Sequence, residues 1–353
     1  SPMMPHFALL FGVSTVALIA QYRRFSGGIR YVLGFVIVLM LTLFAGLRGN
    51  FVGADTIGYI ERFLYLVSVD ADWDGTSSAE PGYKTLVLIA RLISDDPTVF
   101  LIVTSGVVSG LLVAGAYRMA LIPPLALFVM IAFGFYAFHM NGLRQGLALA
   151  VYVHALPSLL QGRPARYGLW VLAASLFHTT AIFTLPLYPL FRIGFSIWTF
   201  GFLMVMAGLT TVGLDFVFQF AGLANERYAL YGQSTATGGA MLTLFHVMLA
   251  AMFMLGRPMV RREWRADYDK LLMMLLFGAM IFVIVQLTGS YVEMTRMALY
   301  FTISMAFLWP ILLRSVRSPN VRFSVIVAVM GMGCVYFFVF LNQIGGYIPF
   351  TFR

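Results

Sequence analysis

Charged residues are scarce in this chain, and cysteine is almost missing. Only 10% of the 353 residues are Asp, Glu, Lys or Arg, whereas 61% are hydrophobic. About a quarter of the residues in a typical soluble domain are charged, so the composition excludes a water-soluble fold and indicates a membrane protein. The single cysteine, Cys334, lies within an apolar run, which excludes a disulfide or a cysteine metal cluster within one chain.

The sequence is instead rich in long uncharged runs. A helix needs roughly 20 apolar residues to cross a bilayer, and such runs occupy residues 7–20, 31–46, 98–117, 121–138, 142–160, 167–190, 193–214, 239–255, 271–288, 297–313 and 323–341. They predict an all-α polytopic integral membrane protein with about 10–11 transmembrane helices. We expect residues 1–353 to form a single transmembrane domain with two polar loops, 47–97 and 215–238, and an interfacial helix within the first loop.

Basic residues gather in short turns between these runs, at 21–30, 161–166, 256–270 and 314–322. The positive-inside rule places such turns in the cytoplasm. The loops 47–97 and 215–238 are then extracytoplasmic, and so are both termini. The net charge of +9 therefore reports orientation, and we expect no nucleic acid as a partner.

One apolar run conflicts with this orientation. If the runs 167–190 and 193–214 both crossed the membrane, the basic turn 256–270 would lie outside. The run 167–190 contains Pro186 and Pro189 and is followed by Arg192. We therefore predict that it is re-entrant and returns to the cytoplasm, with His178 near the outer mouth of a cavity, because broken backbone is tolerated only where protein or water surrounds it.

Polar side chains on the predicted outer side form a candidate site. Ionisable groups at a membrane boundary are costly unless they are paired or hydrated. An arginine there has two interpretations: it extends to the lipid headgroups, or it binds phosphate, which the planar guanidinium matches well. A histidine there is either a structural residue that is hydrogen-bonded to a neighbouring helix or a general base. The set comprises Arg48, Asp55, Glu80, His139, Asn141, Arg144, Gln145, His178, Arg227, Glu293 and Arg296.

No sequence pattern predicts a metal or another cofactor. Asp70, Asp72 and Asp74 have the spacing of the first calcium ligands of an EF-hand loop. The glycine and the glutamate that complete such a loop are missing from their places. We interpret the three carboxylates as solvated loop charge and expect neither a metal nor a cofactor.

Four motifs in order resemble the EpsG family of Wzy-type polysaccharide polymerases. The resemblance runs over roughly residues 45–300 and is looser at Arg227-Tyr228 and from Glu293 to Arg296. The motifs are Leu47-Arg48-Gly49 with Val52-Gly53, Asp55-Thr56 and Tyr59; Glu80-Pro81-Gly82-Tyr83; Asn141-Gly142-Leu143-Arg144-Gln145 with Leu147-Ala148; and Leu176-Phe177-His178-Thr179-Thr180-Ala181.

The resemblance implies a GT-C-like membrane glycosyltransferase. Such an enzyme joins oligosaccharide repeat units carried on undecaprenyl diphosphate at the outer face of the bacterial inner membrane. Its active site would face the periplasm. Its implied partners are the lipid-linked oligosaccharide, membrane lipid and other polysaccharide assembly proteins, namely a flippase and a chain-length regulator.

The resemblance also implies roles for the candidate residues. Four arginines would stabilise the leaving diphosphate, since preorganised cations stabilise developing negative charge: Arg48, Arg144, Arg227 and Arg296. A general base would take the proton of the acceptor hydroxyl, with His178 as first choice and Asp55 as second. Glu80 would orient a sugar or hold an arginine. The predicted substrate-binding set is Arg48, Tyr59, Glu80, Tyr83, Asn141, Arg144, Gln145, Arg227, Tyr228, Glu293 and Arg296.

Two other functions are compatible with outward-facing arginines. A flippase or transporter of lipid-linked sugars would need them together with an apolar groove, but we find no paired broken helices of the kind that alternating access uses. A membrane acyltransferase that modifies a polysaccharide would use His178 as its base. It would also need a path for a cytoplasmic acyl donor.

Overall fold

The computed structural model describes residues 2–22, 24–68, 79–209, 239–288, 292–343 and 345–353. Regular structure in these residues is helical, apart from one β-bridge between Arg48 and Phe352. This confirms the predicted all-α polytopic class. In chain order the α-helices are α1 (Met4–Ala20), α2 (Gly27–Gly46), α3 (Thr56–Ser68), α4 (Pro81–Ile93), α5 (Pro97–Met119), α6 (Pro123–Ala132), α7 (Leu143–Tyr152), α8 (Leu156–Leu160), α9 (Pro164–Ser175), α10 (Tyr188–Ile193), α11 (Ile197–Leu209), α12 (Ala240–Gly256), α13 (Arg262–Thr288), α14 (Val292–Met297), α15 (Leu299–Thr302), α16 (Met305–Ser315) and α17 (Pro319–Gln343).

Proline marks where many of these helices begin. A proline in the first turn loses no helical hydrogen bond, and its fixed φ angle suits the helix. The helices α4, α5, α6, α9 and α17 all begin with a proline. The helix starts in the loops around the candidate site are therefore encoded locally.

Among the described residues, six helices are long and apolar enough to span a membrane: Gly27–Gly46, Pro97–Met119, Ala240–Met259, Arg262–Thr288, Met294–Ser315 and Pro319–Gln343. Other predicted runs are divided into shorter pieces. The run 142–160 changes from α7 to a 3-10 turn, Val153–Ala155, before α8. Pro157 explains this change. It has no amide hydrogen to donate to the carbonyl of Val153, and its ring crowds that carbonyl. The run 121–138 ends its helix at Ala132, before Gly134 at φ 83°.

The chain forms two compact units. The first comprises Ser1–Ser158, Arg163–Ile182 and Ser318–Arg353, and the second comprises Leu159–Gly162 and Phe183–Arg317. Each unit has its own arrangement of polar ends.

In the first unit, the helices separate a basic end from an end that carries the motifs. α1 ends at Ala20, before the turn that holds Arg24, whereas His6 near its start donates from Nε2 to the carbonyl of Tyr347 at 2.9 Å. α9 begins one residue after Arg163, and the Leu176 carbonyl just beyond its end accepts a hydrogen bond from the Gly82 amide at 2.7 Å. The motif residues therefore share one end of this unit.

A C-terminal strap, residues 345–353, covers the first motif loop. The Gly49 amide donates to the Thr351 carbonyl at 2.7 Å, and the Arg353 amide donates to the Leu47 carbonyl at 2.8 Å. The Arg353 side chain donates to Thr98 Oγ1 at 2.8 Å. The Phe350 ring stacks on Phe44, with centroids 4.1 Å apart. The strap therefore holds the loop between α2 and α3 through backbone hydrogen bonds and through side-chain contacts.

In the second unit, three basic segments meet at one end. Lys270 Nζ donates to the Leu160 carbonyl at 2.7 Å, and the Arg261 amide donates to Ser315 Oγ at 3.2 Å. A Cβ placed on Gly162 would lie 2.6 Å from Arg192 Nη2, so the Arg192 side chain lies against this turn. The chain thus leaves Gly162 and comes back to it at Arg192. Between them the run is broken into α9, a 3-10 turn (Thr179–Thr184) and α10. The re-entrant course of this run stays a prediction.

Candidate functional site

The site begins with Glu80, which immediately precedes α4. Its backbone is extended, and its side chain makes no capping hydrogen bond to its own helix. The next two residues fix the position of this helix start, since Pro81 begins α4 and the Gly82 amide donates to the Leu176 carbonyl. A Cβ on Gly82 would lie 2.7 Å from that carbonyl oxygen, so only glycine permits this close approach. The contact brings Glu80 to the end of α9.

Glu80 is hydrogen-bonded to two other motifs. Its Oε2 atom accepts from Arg144 Nη1 at 2.8 Å, and its Oε1 atom lies 3.1 Å from His178 Nδ1. The Thr179 amide also donates to Oε1, at 3.2 Å. We call Glu80, Arg144, His178 and Thr179 the Glu80 cluster. Its members come from the second, third and fourth motifs, which are far apart in the sequence.

The cluster is accessible at one side. The side chain of Glu80 is 9% exposed, that of Arg144 14% and that of His178 23%. His178 therefore has the most open position, and its Nε2 atom has no hydrogen-bond partner among the described residues.

The charge of Glu80 follows from its surroundings. Burial acts to raise the pKa of this carboxyl, but hydrogen bonds from His178 and from backbone amides, together with the positive charge of Arg144, outweigh burial and lower the pKa to about 2. Glu80 is therefore ionised at neutral pH. An ionised carboxylate only accepts hydrogen bonds, so His178 carries a proton on Nδ1.

Tyr59 and Tyr83 are buried next to the Glu80 cluster. Tyr59 is hydrogen-bonded to Arg144, and its ring centroid is 6.2 Å from that of Tyr83. Tyr83 in turn packs edge-on against Phe100. Both tyrosines are buried. Tyr59 thus contacts Arg144 directly, Tyr83 packs beside Tyr59, and both present little surface to a ligand.

Arg48 occupies a different environment from Arg144. Its side chain is completely buried. Nε donates to Thr56 Oγ1 at 3.1 Å and Nη1 donates to the Ala45 carbonyl at 2.6 Å, whereas Nη2 has no hydrogen-bond partner within the described segments. Burial lowers the pKa of Arg48 to about 10, so the group is still charged at neutral pH. Its hydrogen bonds here go to protein groups that join α2 to α3.

Asn141 links the motif loop to the C-terminal strap. Its Oδ1 atom accepts from the Ala54 amide at 2.7 Å, and its Nδ2 atom donates to the Gly345 carbonyl at 3.2 Å.

Two neighbouring polar residues of the predicted set are buried. Gln145 lies in the first turn of α7. His139 is fully buried, with Nδ1 at the Tyr136 carbonyl and Nε2 near Ser105 Oγ. These contacts hold the backbone of the motifs in place.

The remaining predicted residues are not part of this cluster. Asp55 is half-buried in the turn before α3 and forms no ion pair with a described residue. Arg296 lies on α14 in the second unit and is half-buried there. Arg227, Tyr228 and the side chain of Glu293 lie outside the described residues.

Sequence reasoning missed two contributors. The Thr179 amide was not singled out, although it follows His178 directly in the quoted motif. The C-terminal strap was not predicted at all, and its only local signal is the pair Gly345-Gly346, of which Gly346 has a φ of 91°. No group of three or more His, Cys, Asp or Glu that could hold a metal occurs in the part of the chain that the structure describes.

Comparison with known proteins assigns the chain to a family. The sequence model described as the EpsG family matches residues 31–352, which include all four motifs, the Glu80 cluster and most of the strap. No curated protein and no solved structure matches the chain. Because the match covers nearly the whole sequence, the chain belongs to the EpsG family of Wzy-like membrane polysaccharide polymerases.

Proposed function

We propose that this protein joins oligosaccharide repeat units carried on undecaprenyl diphosphate into a polysaccharide at the outer face of the bacterial inner membrane. The observation that carries the proposal is the Glu80 cluster, in which a partly exposed imidazole lies beside a partly exposed guanidinium. A base and an anion-binding cation side by side suit a transfer from a diphosphate donor. The family supports the general activity, and the cluster supports this form of it.

In this reaction a hydroxyl of the acceptor's terminal sugar attacks the anomeric carbon of the donor chain. The new carbon–oxygen bond forms as the bond to the diphosphate breaks, and undecaprenyl diphosphate leaves with the electron pair. His178 Nε2 accepts the hydroxyl proton. Arg144 stabilises the charge that develops on the diphosphate, as preorganised donors do in other transfer reactions.

The other predicted site residues contribute in two ways. Arg48 and Asn141 hold the motif loop, and Tyr59 and Tyr83 orient Arg144. Asp55 is the second candidate for the base. Gln145, Arg227, Tyr228, Glu293 and Arg296 remain predicted substrate contacts, with Arg227 and Arg296 as further cations for the diphosphate.

The sidedness of the site rests on the two ends of the first unit. Cysteine labelling tests it in a Cys334→Ala background. We expect Asp95→Cys, near the motif end, to react with a membrane-impermeant reagent in intact cells. Arg166→Cys, at the basic end, should react only after the membrane is opened. Both residues are exposed. Labelling of both positions from outside would overturn the proposed orientation.

Reconstitution with lipid-linked repeat units tests the reaction itself. Longer chains on the lipid would support the polymerase. Movement of the lipid-linked sugar between leaflets without chain growth would indicate a flippase, and an acylated sugar would indicate an acyltransferase. Arg144→Lys and His178→Ala proteins are the negative controls, because the polymerase proposal requires both side chains.

A further inference from the structure

One residue of the cluster contacts both groups to which the proposed function gives chemistry. Glu80 accepts from Arg144 through Oε2 and faces His178 through Oε1. Neither contact depends on a ligand. A carboxylate shared between a cation and an imidazole controls the orientation of both, since each oxygen has a different partner.

We propose that Glu80 is a positioning residue for polymerisation: its carboxylate holds the His178 imidazole with the proton on Nδ1, so that Nε2 faces the acceptor hydroxyl as the base, while it aligns the Arg144 guanidinium beside it. The inference rests on the proposed function. It names the group that prepares the base, rather than the base itself.

The surroundings restrict the orientation of the carboxylate. The Thr179 amide donates to Oε1, the same oxygen that faces His178. Arg144 takes the opposite oxygen. Rotation of the carboxylate would break contacts on both sides, and displacement of the whole residue is opposed by the hydrogen bond between Gly82 and Leu176. Glu80 is therefore held by contacts to two other chain segments, at Arg144 and at residues 176–179.

The contact between Glu80 and His178 also favours the proposed proton transfer. When Nε2 takes the hydroxyl proton, the imidazole becomes a cation with a proton on each nitrogen. The Nδ1 proton remains on the hydrogen bond to Glu80, so the new positive charge lies next to an existing negative one. Hydrogen bonds to a charged partner are the stronger kind. Glu80 thus stabilises the protonated base without contacting the sugar.

Nitrogen-15 NMR of the full-length protein, labelled at histidine, tests the tautomer directly. The chain has five histidines, and a His178→Ala sample identifies the signal of interest. We expect His178 of the unaltered protein to be protonated on Nδ1 and unprotonated on Nε2. Glu80→Ala should shift the signal toward the Nε2-protonated form that free histidine favours. An identical His178 spectrum in both proteins would overturn the inference.

The activity of matched variants gives the second measurement. Glu80→Ala should lower the polymerisation rate by about 10²-fold or more, the scale of a general base that is no longer correctly held. Glu80→Asp should recover part of that rate, because the carboxylate is retained. Glu61→Gln, an exposed carboxylate on α3 that also lies in the first polar loop, should leave the rate unchanged. Full activity of Glu80→Ala would overturn the inference.

Failure of the inference differs from failure of the proposed function. If His178→Ala polymerises normally, His178 is not the base and the proposed function is wrong in this point. This holds whether or not the NMR result shows that Glu80 sets the tautomer of His178. If His178→Ala is inactive but Glu80→Ala keeps the tautomer, the proposed base stands and the positioning role is wrong. A cooperative thermal transition of Glu80→Ala well above the assay temperature excludes loss of the fold as the cause of either result.

Discussion

Arg144 and Arg48 belong to the same predicted set, yet they lie in contrasting environments. Arg144 is paired with a carboxylate that also contacts an imidazole, and it remains partly exposed. Arg48 is completely buried and donates to a hydroxyl and a backbone carbonyl. The comparison teaches that two arginines of similar motifs can be placed very differently: one is partly exposed and shares a carboxylate with an imidazole, and the other joins two helices.

A second arginine pair sharpens the comparison. In the second unit, Arg257 binds both oxygens of Asp269, with Nε to Oδ1 at 2.6 Å and Nη2 to Oδ2 at 2.8 Å. Such a two-pronged pair satisfies the carboxylate with one partner. In the Glu80 cluster the carboxylate is divided between two side chains and one backbone amide. The first arrangement anchors a turn, whereas the second connects the two groups to which our proposal assigns chemistry.

His178→Ala gives the largest expected effect on activity. General bases contribute about 10²–10⁴-fold to a rate, so we expect polymerisation to fall by that factor while the lipid-linked donor still binds. Turnover in reconstituted vesicles and donor binding are the measurements. Loss of donor binding without a specific loss of turnover would indicate that His178 is structural. The environment of Arg144 would then no longer differ from that of Arg48 by the presence of a catalytic base.

Arg144→Lys comes next in magnitude. Lysine keeps the charge but lacks the planar donor geometry. We expect a folded protein whose polymerisation is about 10²-fold slower, comparable to the loss of one preorganised donor. The same reconstituted assay measures it, with the thermal midpoint as the test of folding. Full activity would remove Arg144 from the site.

Arg48→Lys should change stability more than chemistry. The substitution removes hydrogen bonds that a buried charged group makes to Thr56 and Ala45, and each such bond contributes about 2 kcal/mol. We expect a lower thermal midpoint in detergent but unchanged donor affinity per folded molecule. A stable variant with weakened donor binding would place Arg48 in the same class as Arg144, and the comparison would break.

The smallest expected effect is a pH dependence of stability. The pKa of Glu80 is lowered from 4.5 to about 2 in the fold. A carboxyl with a lowered pKa stabilises the fold above its unfolded pKa, and this contribution is lost as the pH falls through the folded value. The difference in thermal midpoint between the unaltered protein and Glu80→Gln should be constant above about pH 5 and should shrink toward pH 2. A difference that grows on acidification would contradict the ionised state of Glu80.

Much of the fold was predictable because the membrane imposes it. The apolar runs predicted the all-α polytopic class that the structure has. The basic turn at 256–270 predicted that the run 167–190 does not cross, which stays a prediction. The structure divides that run between α9 and α10. The exact division of other runs was not predictable from hydropathy, because Pro157 and Gly134 end helices without changing the apolar character of the segment.

The candidate site was predictable as a set of residues but not as a set of contacts. The motifs identified Glu80, Arg144 and His178, and the sequence reasoning allowed that Glu80 holds an arginine. Nothing in the spacing indicated that the same carboxylate also faces His178. Nor did the sequence distinguish Arg48 from Arg144, since burial depends on what packs against a residue rather than on its neighbours in the chain.

The sequence by itself determined the solvent of this protein, because a chain with 61% hydrophobic residues and long uncharged runs is stable only in a bilayer. It also determined which of the turns between the apolar runs carry basic residues. Only the tertiary structure decided which polar groups meet. Glu80 is separated from Arg144 by 64 residues and from His178 by 98, and contacts over such distances arise from helix packing, which local sequence patterns do not specify.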